Sequence, residues 1–383
     1  MSICKFIVAL VVVVVFATAV VSAHLGKEER PRPAWLADSS SFFKECDYDC
    51  TSDGGPPPGS ITHVKHLRPC DVRVVGSLGD SITAAFAARG ELWEERGLSY
   101  FIGMSTNDTS VTSSKLLRHL NKGALIGGST QGHIPEIHGG PHDPLQDVLN
   151  VAQSEAVIQD LLPGGKGFQL QALLDEIHSL ESFGLMKMSD WKLINIWIGA
   201  NNLCGACRDF HNSSSNSPKH YGKHLNQTLA WIQERIPNTL VSLVGFFNLS
   251  QVTKIDAPVA ACDLVHDLFI ECSCMFKPPA SNQQMMDEWG AGYNAEMKSL
   301  AAEWSAKNLP GFNVVLQTGL IGFQIPDISF LSTLDCFHPS SEAHEALGIG
   351  LFNNMLQPVG GKTSPVTLPV TPTCPGPNAR IYS

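Results

Sequence analysis

The sequence predicts an α/β protein whose mostly parallel sheet is covered by helices on both faces. Three features predict it: short apolar runs of strand length, longer stretches between them with apolar residues at helical spacing, and glycine-flanked polar residues just after two of the runs. In such sheets ligands bind beyond the carboxyl ends of the strands, so those polar residues are the first place to look for chemistry.

The elements follow in chain order. Residues 1–23 read as a secretory signal peptide: Lys5 supplies a positive flank, 6–21 is apolar apart from Thr18, and Val21-Ser22-Ala23 offers small residues for cleavage. An uncleaved anchor is the alternative, but the run is short against a span of about 20 residues. Residues 24–65 form a Pro/Gly/Cys-rich lead-in with little regular structure, and 66–375 form the main domain, followed by a short tail, 376–383. Within the domain, 72–78 reads as a buried strand ending at Gly79, and 82–88 as an alanine-rich helix. Residues 121–145, full of Gly, Pro and His, read as a long surface loop. Leu170, Leu173, Leu174, Ile177 and Leu180 mark an amphipathic helix, and 191–198 a second strand ending at Gly199. Tyr221, Leu225, Leu229, Ile232 and Ile236 mark another helix, stopped by Pro237. A strand at 240–247, a helix carrying Met286, Trp289, Tyr293, Met297 and Leu300, a strand at 312–316 and a final helix at 342–356 complete the series.

Composition narrows the function. A formal net charge of -10 argues against non-specific nucleic-acid binding and against electrostatic docking on anionic membranes, though not against a hydrophobic approach to lipid. No second apolar run of spanning length follows the first, so a secreted, extracellular product without a stable membrane span is expected. Cys4 would leave with the signal; the ten remaining cysteines allow up to five disulfides, whose pairing the sequence leaves open. Cys204-x-x-Cys207 fits a redox or zinc motif, yet it lacks a second CxxC, and an oxidising compartment favours structural bonds. Asn107, Asn212, Asn226 and Asn248 head glycosylation sequons.

Three motifs carry chemistry. Ser81 follows a strand and, on this reading, opens a helix whose free amides face whatever its hydroxyl attacks; as a plain residue it would be an N-cap. A serine hydroxyl needs a base, and the base needs a group that fixes its tautomer; Asp335 and His338, three residues apart, supply both from one loop. Asn201, at the end of the second strand, offers a side-chain amide to a developing oxyanion, a donor worth about 3 kcal/mol in the transition state. Each residue has a structural reading of its own, and it is their order and placement at strand ends that joins them.

Gly79-Asp80-Ser81-Ile82, Gly199-Ala200-Asn201-Asn202 and Asp335-x-x-His338 resemble the ordered blocks of the GDSL (SGNH) hydrolase family. The likeness is closer to its animal phospholipase B branch, through His66-Leu67-Arg68-Pro69, Arg96-Gly97-Leu98-Ser99, Asn202-Leu203-Cys204-x-x-Cys207, Cys262 with Cys272-x-Cys274, Asp335-Cys336-Phe337-His338, and the block from Asn353 to Gly360. It runs from about residue 60 to residue 375. The resemblance implies a three-layer α/β/α, flavodoxin-like sandwich. It implies hydrolysis of acyl esters of phospholipids or lysophospholipids without metal or other cofactor. Ser81 would be the nucleophile, His338 its base and Asp335 the partner of that base, with the N–H of Ser81, the N–H at position 155 and the Asn201 amide as oxyanion donors.

Two departures stand out. Where the family has Gly-Asn-Asp this chain has Asn201-Asn202, keeping the first Asn, and Glu155 occupies the place of the glycine that supplies a backbone donor. The N–H survives any non-proline substitution. A glutamate forced to positive φ would nevertheless cost about 1–2 kcal/mol, and a carboxylate turned into the cleft would oppose the developing charge. A slowed enzyme, or a lipid-binding pseudoenzyme, are therefore alternatives to a fully active hydrolase. A metal-dependent phosphodiesterase using His133, His138 and His142 is a third, although their spacing matches no metal motif.

Overall fold

The computed structural model of the protein describes residues 32–52, 54–135, 143–165, 168–207, 215–256, 262, 266, 272–276 and 279–383. The proposed signal segment lies outside them.

Four parallel strands, β1 (Val72–Gly79), β2 (Trp191–Trp197), β3 (Thr239–Val244) and β4 (Phe312–Gln317), pair in the order β1-β2-β3-β4. Almost every residue in them is buried, as expected of strands covered on both faces. A sheet that adds each strand on the same side by right-handed crossovers places the crossover helices on one face. Those helices are α2 (Gln169–Ser182), α4 (Pro218–Arg235) and α5 (Ser281–Ala306), which pack side by side. The other face needs separate cover. It comes from α1 (Ser113–Leu120) and the last helix, α6 (Ser341–Met355), which touch each other. A short helix, α3 (Ala200–Ala206), starts directly after β2. The result is the expected three-layer α/β/α arrangement.

Local chemistry explains the helix ends. Ser217 accepts the N–H of His220 ahead of Pro218 in the first turn of α4, and Pro237 follows its last turn. Ser340, two residues after His338, accepts the N–H of Ala343 and so caps the start of α6.

Two regions differ from the sequence reading. Residues 82–88 are not helical. Ala85 and Ala87 sit at φ 55° and 58°, the N–H of Ala87 bonds the carbonyl of Trp93 (2.8 Å), and the carbonyl of Ala85 takes the N–H of Glu95 (3.0 Å). Backbone groups that would have closed helical turns are spent on the 93–95 segment, overriding alanine's helix propensity. Nor is 121–145 wholly a surface loop. The N–H of Val75 bonds Ile126 and that of Ile126 bonds Arg73, so this stretch continues the sheet beyond β1; further along, Ser77 bonds both Leu149 and Val151. Isolated bridges rather than a regular strand cover that edge, which is why no periodicity announces them.

The ten cysteines after Cys4 form five disulfides: Cys46–Cys374, Cys50–Cys70, Cys204–Cys272, Cys207–Cys274 and Cys262–Cys336. The CxxC cysteines pair outward rather than with each other. The first two bonds hold the lead-in, whose Trp35, Phe42 and Tyr48 are buried in the core.

The α6 helix lies close to the backbone around Tyr100 and α1. A Cβ on Gly348 would meet the Tyr100 carbonyl at 2.4 Å, while the Gly348 carbonyl accepts the Ser113 hydroxyl at 2.7 Å. Gly348→Ala should therefore destabilise the fold by about 1–3 kcal/mol, despite alanine's better helix propensity. Urea denaturation checks this; an unchanged or raised midpoint would show looser packing of α6.

Candidate active site

The site forms where β1 and β2 end. Gly79 closes β1, and glycine is required there by close approach: a Cβ would lie 2.2 Å from the Thr83 hydroxyl and 2.6 Å from the Trp197 carbonyl. The side chain of Gln169, in the first turn of α2, pairs with both backbone groups of Gly79. Its Oε1 accepts the N–H (3.0 Å) and its Nε2 donates to the carbonyl (2.8 Å). Asp80 follows, fully buried; burial pushes its carboxyl up to about 6, against the N–H of Ile82 bonding Oδ1 at 3.1 Å.

Ser81 is 8% exposed, and its Oγ lies 2.7 Å from His338 Nε2. His338 Nδ1 lies 2.6 Å from Asp335 Oδ2. The other oxygen of Asp335 accepts the N–H groups of Phe337 (2.9 Å) and His338 (3.0 Å). A carboxylate can only accept, so Nδ1 carries the proton and Nε2 is left to accept from the serine. Burial works against the charge on Asp335, but the adjacent imidazole and these donors outweigh it and hold the carboxyl below its ordinary range.

The Asp–His loop is fixed at both ends. Cys336 sits at φ 52° and bonds Cys262, while Ser332 N–H donates to the His338 carbonyl at 2.7 Å. Phe86 and Phe337 stand edge-on to the imidazole, each with ring centroids 5.0 Å from it.

Asn201, the second residue of α3, donates from Nδ2 to the Ala156 carbonyl at 3.0 Å. Asn202 accepts the Ile158 N–H at 2.9 Å through its side-chain oxygen and donates to Gln159 and Asn216. A neutral amide thus serves as acceptor where the family pattern has a carboxylate. Gln153 N–H reaches the Gly79 carbonyl at 3.2 Å. The 153–156 turn is therefore tied to the end of β1 on one side and to Asn201 on the other. Glu155 lies in that turn, exposed, at φ 66°.

A buried ion pair holds the approach to this turn. The fully buried Arg96 guanidinium donates to Glu94 (2.8 and 3.0 Å) and to the carbonyls of Asn150 (2.8 Å) and Ala152 (2.7 Å). Ser154 Oγ donates to the other oxygen of Glu94 at 2.5 Å. Nothing in the sequence marked Glu94 or Gln169; Arg96 stood only in a resemblance block. His133 bonds Asp147 at 2.9 Å, which raises its pKa; His138 and His142 lie outside the described residues. Among the described residues no group of three or more acidic, His or Cys side chains is arranged to hold a metal ion.

A serine hydroxyl, an imidazole and a carboxylate in this order can perform serine-dependent acyl transfer. The chain belongs to the GDSL-like lipase/acylhydrolase family, whose model matches residues 75–351. Among characterised proteins it is similar to the membrane-associated phospholipase B1 of Homo sapiens, 28% identical over 347 residues that cover 85% of this chain and 22% of that protein. The Mus musculus counterpart is 30% identical over 332 residues, covering 83% and 21%. The chain therefore spans about a fifth of the length of these relatives. Among solved structures, an acetyl xylan esterase from Geobacillus stearothermophilus aligns with a TM-score of 0.36 at 12% identity, over 73% of this chain and 93% of that one.

One buried neighbour gives a pH prediction. His344 of α6 stacks on Tyr100, its Nδ1 accepts the Tyr100 N–H at 3.3 Å, and burial, then the nearby His338, push its pKa down to about 3. The unfolded imidazole binds a proton near its ordinary 6.5 while the folded one does not, so this group costs stability as pH falls from about 6.5 towards 3. Replacing it by glutamine, which keeps an acceptor, should flatten the pH dependence across that window. The check is the difference between the natural and His344→Gln unfolding free energies at pH 7 and at pH 4.5; equal differences at both would contradict the assignment.

Proposed function

We propose that the chain is a secreted serine hydrolase of the acyl esters of phospholipids or lysophospholipids, with Ser81 as nucleophile, His338 as general base and Asp335 orienting the base. The unbroken hydrogen-bonded line from Ser81 Oγ through the imidazole to Asp335 carries this reading. The lipid substrate is supported by the similarity to phospholipase B1, and secretion by the five disulfides and the apolar N-terminal run. Asn107, Asn226 and Asn248 are exposed, as glycan acceptors would be; Asn212 lies outside the described residues. Among the described residues no helix is long and apolar enough to cross a membrane.

The chemistry follows from the tautomer. His338 Nε2 takes the Ser81 proton as Oγ attacks the ester carbonyl carbon. The negative charge that develops on the carbonyl oxygen is met by the N–H groups of Ser81 and Glu155 and by the Nδ2 hydrogen of Asn201 not used on Ala156. His338 then protonates the leaving alcohol, and an acyl-Ser81 ester remains. It next deprotonates a water that attacks this ester, releasing the fatty acid and restoring the serine. Asp335 stays ionised and stabilises the transient imidazolium.

Ser81→Ala should lower hydrolysis of a lysophospholipid by roughly 10⁴-fold or more, with the fold intact by circular dichroism. Undiminished fatty-acid release by that variant would refute the assignment. Glu155 gives a second test. Glu155→Gly should stabilise the fold by about 1 kcal/mol, because glycine carries no penalty at this φ, and raise kcat by removing a negative charge from the turn whose N–H meets the oxyanion. A fall in kcat would mean that the glutamate assists the reaction. A natural chain that binds lysophospholipid without turning it over, and gains turnover on this change, would be the pseudoenzyme.

A further inference from the structure

Several of the most exposed large apolar side chains lie together beside the site. Leu92, Trp93, Ile134 and Leu145 are 52%, 37%, 72% and 88% exposed. Glu94 and His133 exchange both backbone hydrogen bonds (2.9 and 3.0 Å), an antiparallel pairing that sets Trp93 opposite Ile134. The turn bearing Leu145 is drawn alongside by the Thr130 N–H on the Gln146 carbonyl (3.2 Å) and by His133 on Asp147.

This patch lies on the segment that pairs with the backbone just after Ser81. The N–H of Ala87 bonds the Trp93 carbonyl at 2.8 Å, and the neighbouring Phe86 is half-buried with its ring 5.0 Å from the imidazole of His338. The backbone that carries Trp93 and, through it, Ile134 is thus paired with the segment that follows Ser81. Burying four such side chains in water's stead is favourable, and tryptophan is suited to the boundary between headgroup and acyl chain. The charges around the patch choose the kind of surface. Glu91 and Glu155 are exposed, Asp143 is half-exposed, and the nearby Arg89 is paired with Asp108 at 2.5 Å. With a net charge of -10 on the chain, an anionic bilayer would repel this rim, whereas a zwitterionic one presents its cationic end outermost.

We propose that Leu92, Trp93, Ile134 and Leu145 form a docking surface that seats the protein on aggregated zwitterionic lipid with the Ser81–His338 mouth facing the headgroups. The proposal rests on the ester-hydrolase reading only for its purpose; docking and turnover are measured separately. The experiment compares the natural chain with Ile134→Glu/Leu145→Glu in flotation with phosphatidylcholine vesicles, with phosphatidylglycerol vesicles, and in hydrolysis of a short-chain ester free in solution. The natural chain should float with phosphatidylcholine at low and high salt alike, and less with phosphatidylglycerol. The double variant should lose about ten-fold or more of its partitioning while hydrolysing the soluble ester at the natural rate. A milder Ile134→Ser/Leu145→Ser pair, with its thermal midpoint measured, separates lost docking from lost folding. Equal flotation of the natural and altered chains, no flotation of the natural chain with phosphatidylcholine, or flotation restricted to anionic vesicles and abolished by salt, would each overturn the proposal. Absence of soluble-ester turnover in the natural chain would instead count against the hydrolase reading and leave the flotation result to decide docking.

Discussion

The hydrogen bond between Asp335 and His338 is the constraint around which the rest of the site is organised. At 2.6 Å, with only 2% of the aspartate exposed, it fixes which imidazole nitrogen holds a proton and therefore which one faces Ser81. A buried carboxylate is costly unless its lone pairs are met. Here the imidazole and two backbone N–H groups meet them, and the loop must be bent to do so, with Cys336 in the left-handed region. The disulfide from Cys336 to Cys262 and the Ser340 cap of α6, two residues beyond His338, hold that bend in place.

The same logic recurs on the opposite side. Two parallel disulfides tie α3, which carries Asn201, to the 272–274 stretch. The 153–156 turn is held by Gly79, Asn201 and the Glu94–Arg96 pair rather than by regular structure. Truncating one partner of such a buried pair is far more damaging than the pair's net worth suggests, because it strands the other charge. Side chains thus supplement the few backbone bonds that isolated bridges supply at this edge of the sheet.

The four strands and the long helices were legible in the sequence because burial on both faces or on one face leaves a periodic trace. Ser81, Asp335, His338 and Asn201 were legible because each sits at the carboxyl end of a strand or in a short motif. What was not legible depended on pairing between distant segments. The alanines after Ser81 read as helix, yet their backbone bonds the 93–95 segment; the histidine-rich loop read as surface, yet its Ile126 pairs with β1. Gln169 hides in an ordinary helix stripe, and Glu94 with Arg96 looks like surface charge until the fold closes over it. Disulfide pairing likewise needed the three-dimensional arrangement. Glu155 at φ 66° agrees with the expectation that this position suits glycine.

In the proposed reaction one serine, activated by one imidazole, does the chemistry. Labelling the folded chain with a fluorophosphonate and locating the adduct by mass spectrometry tests it most directly. A single phosphonyl group on Ser81 is expected, absent when His338 is replaced by alanine. A natural chain that hydrolyses esters while Ser81 stays unlabelled, or that takes up the label on another serine, would contradict it.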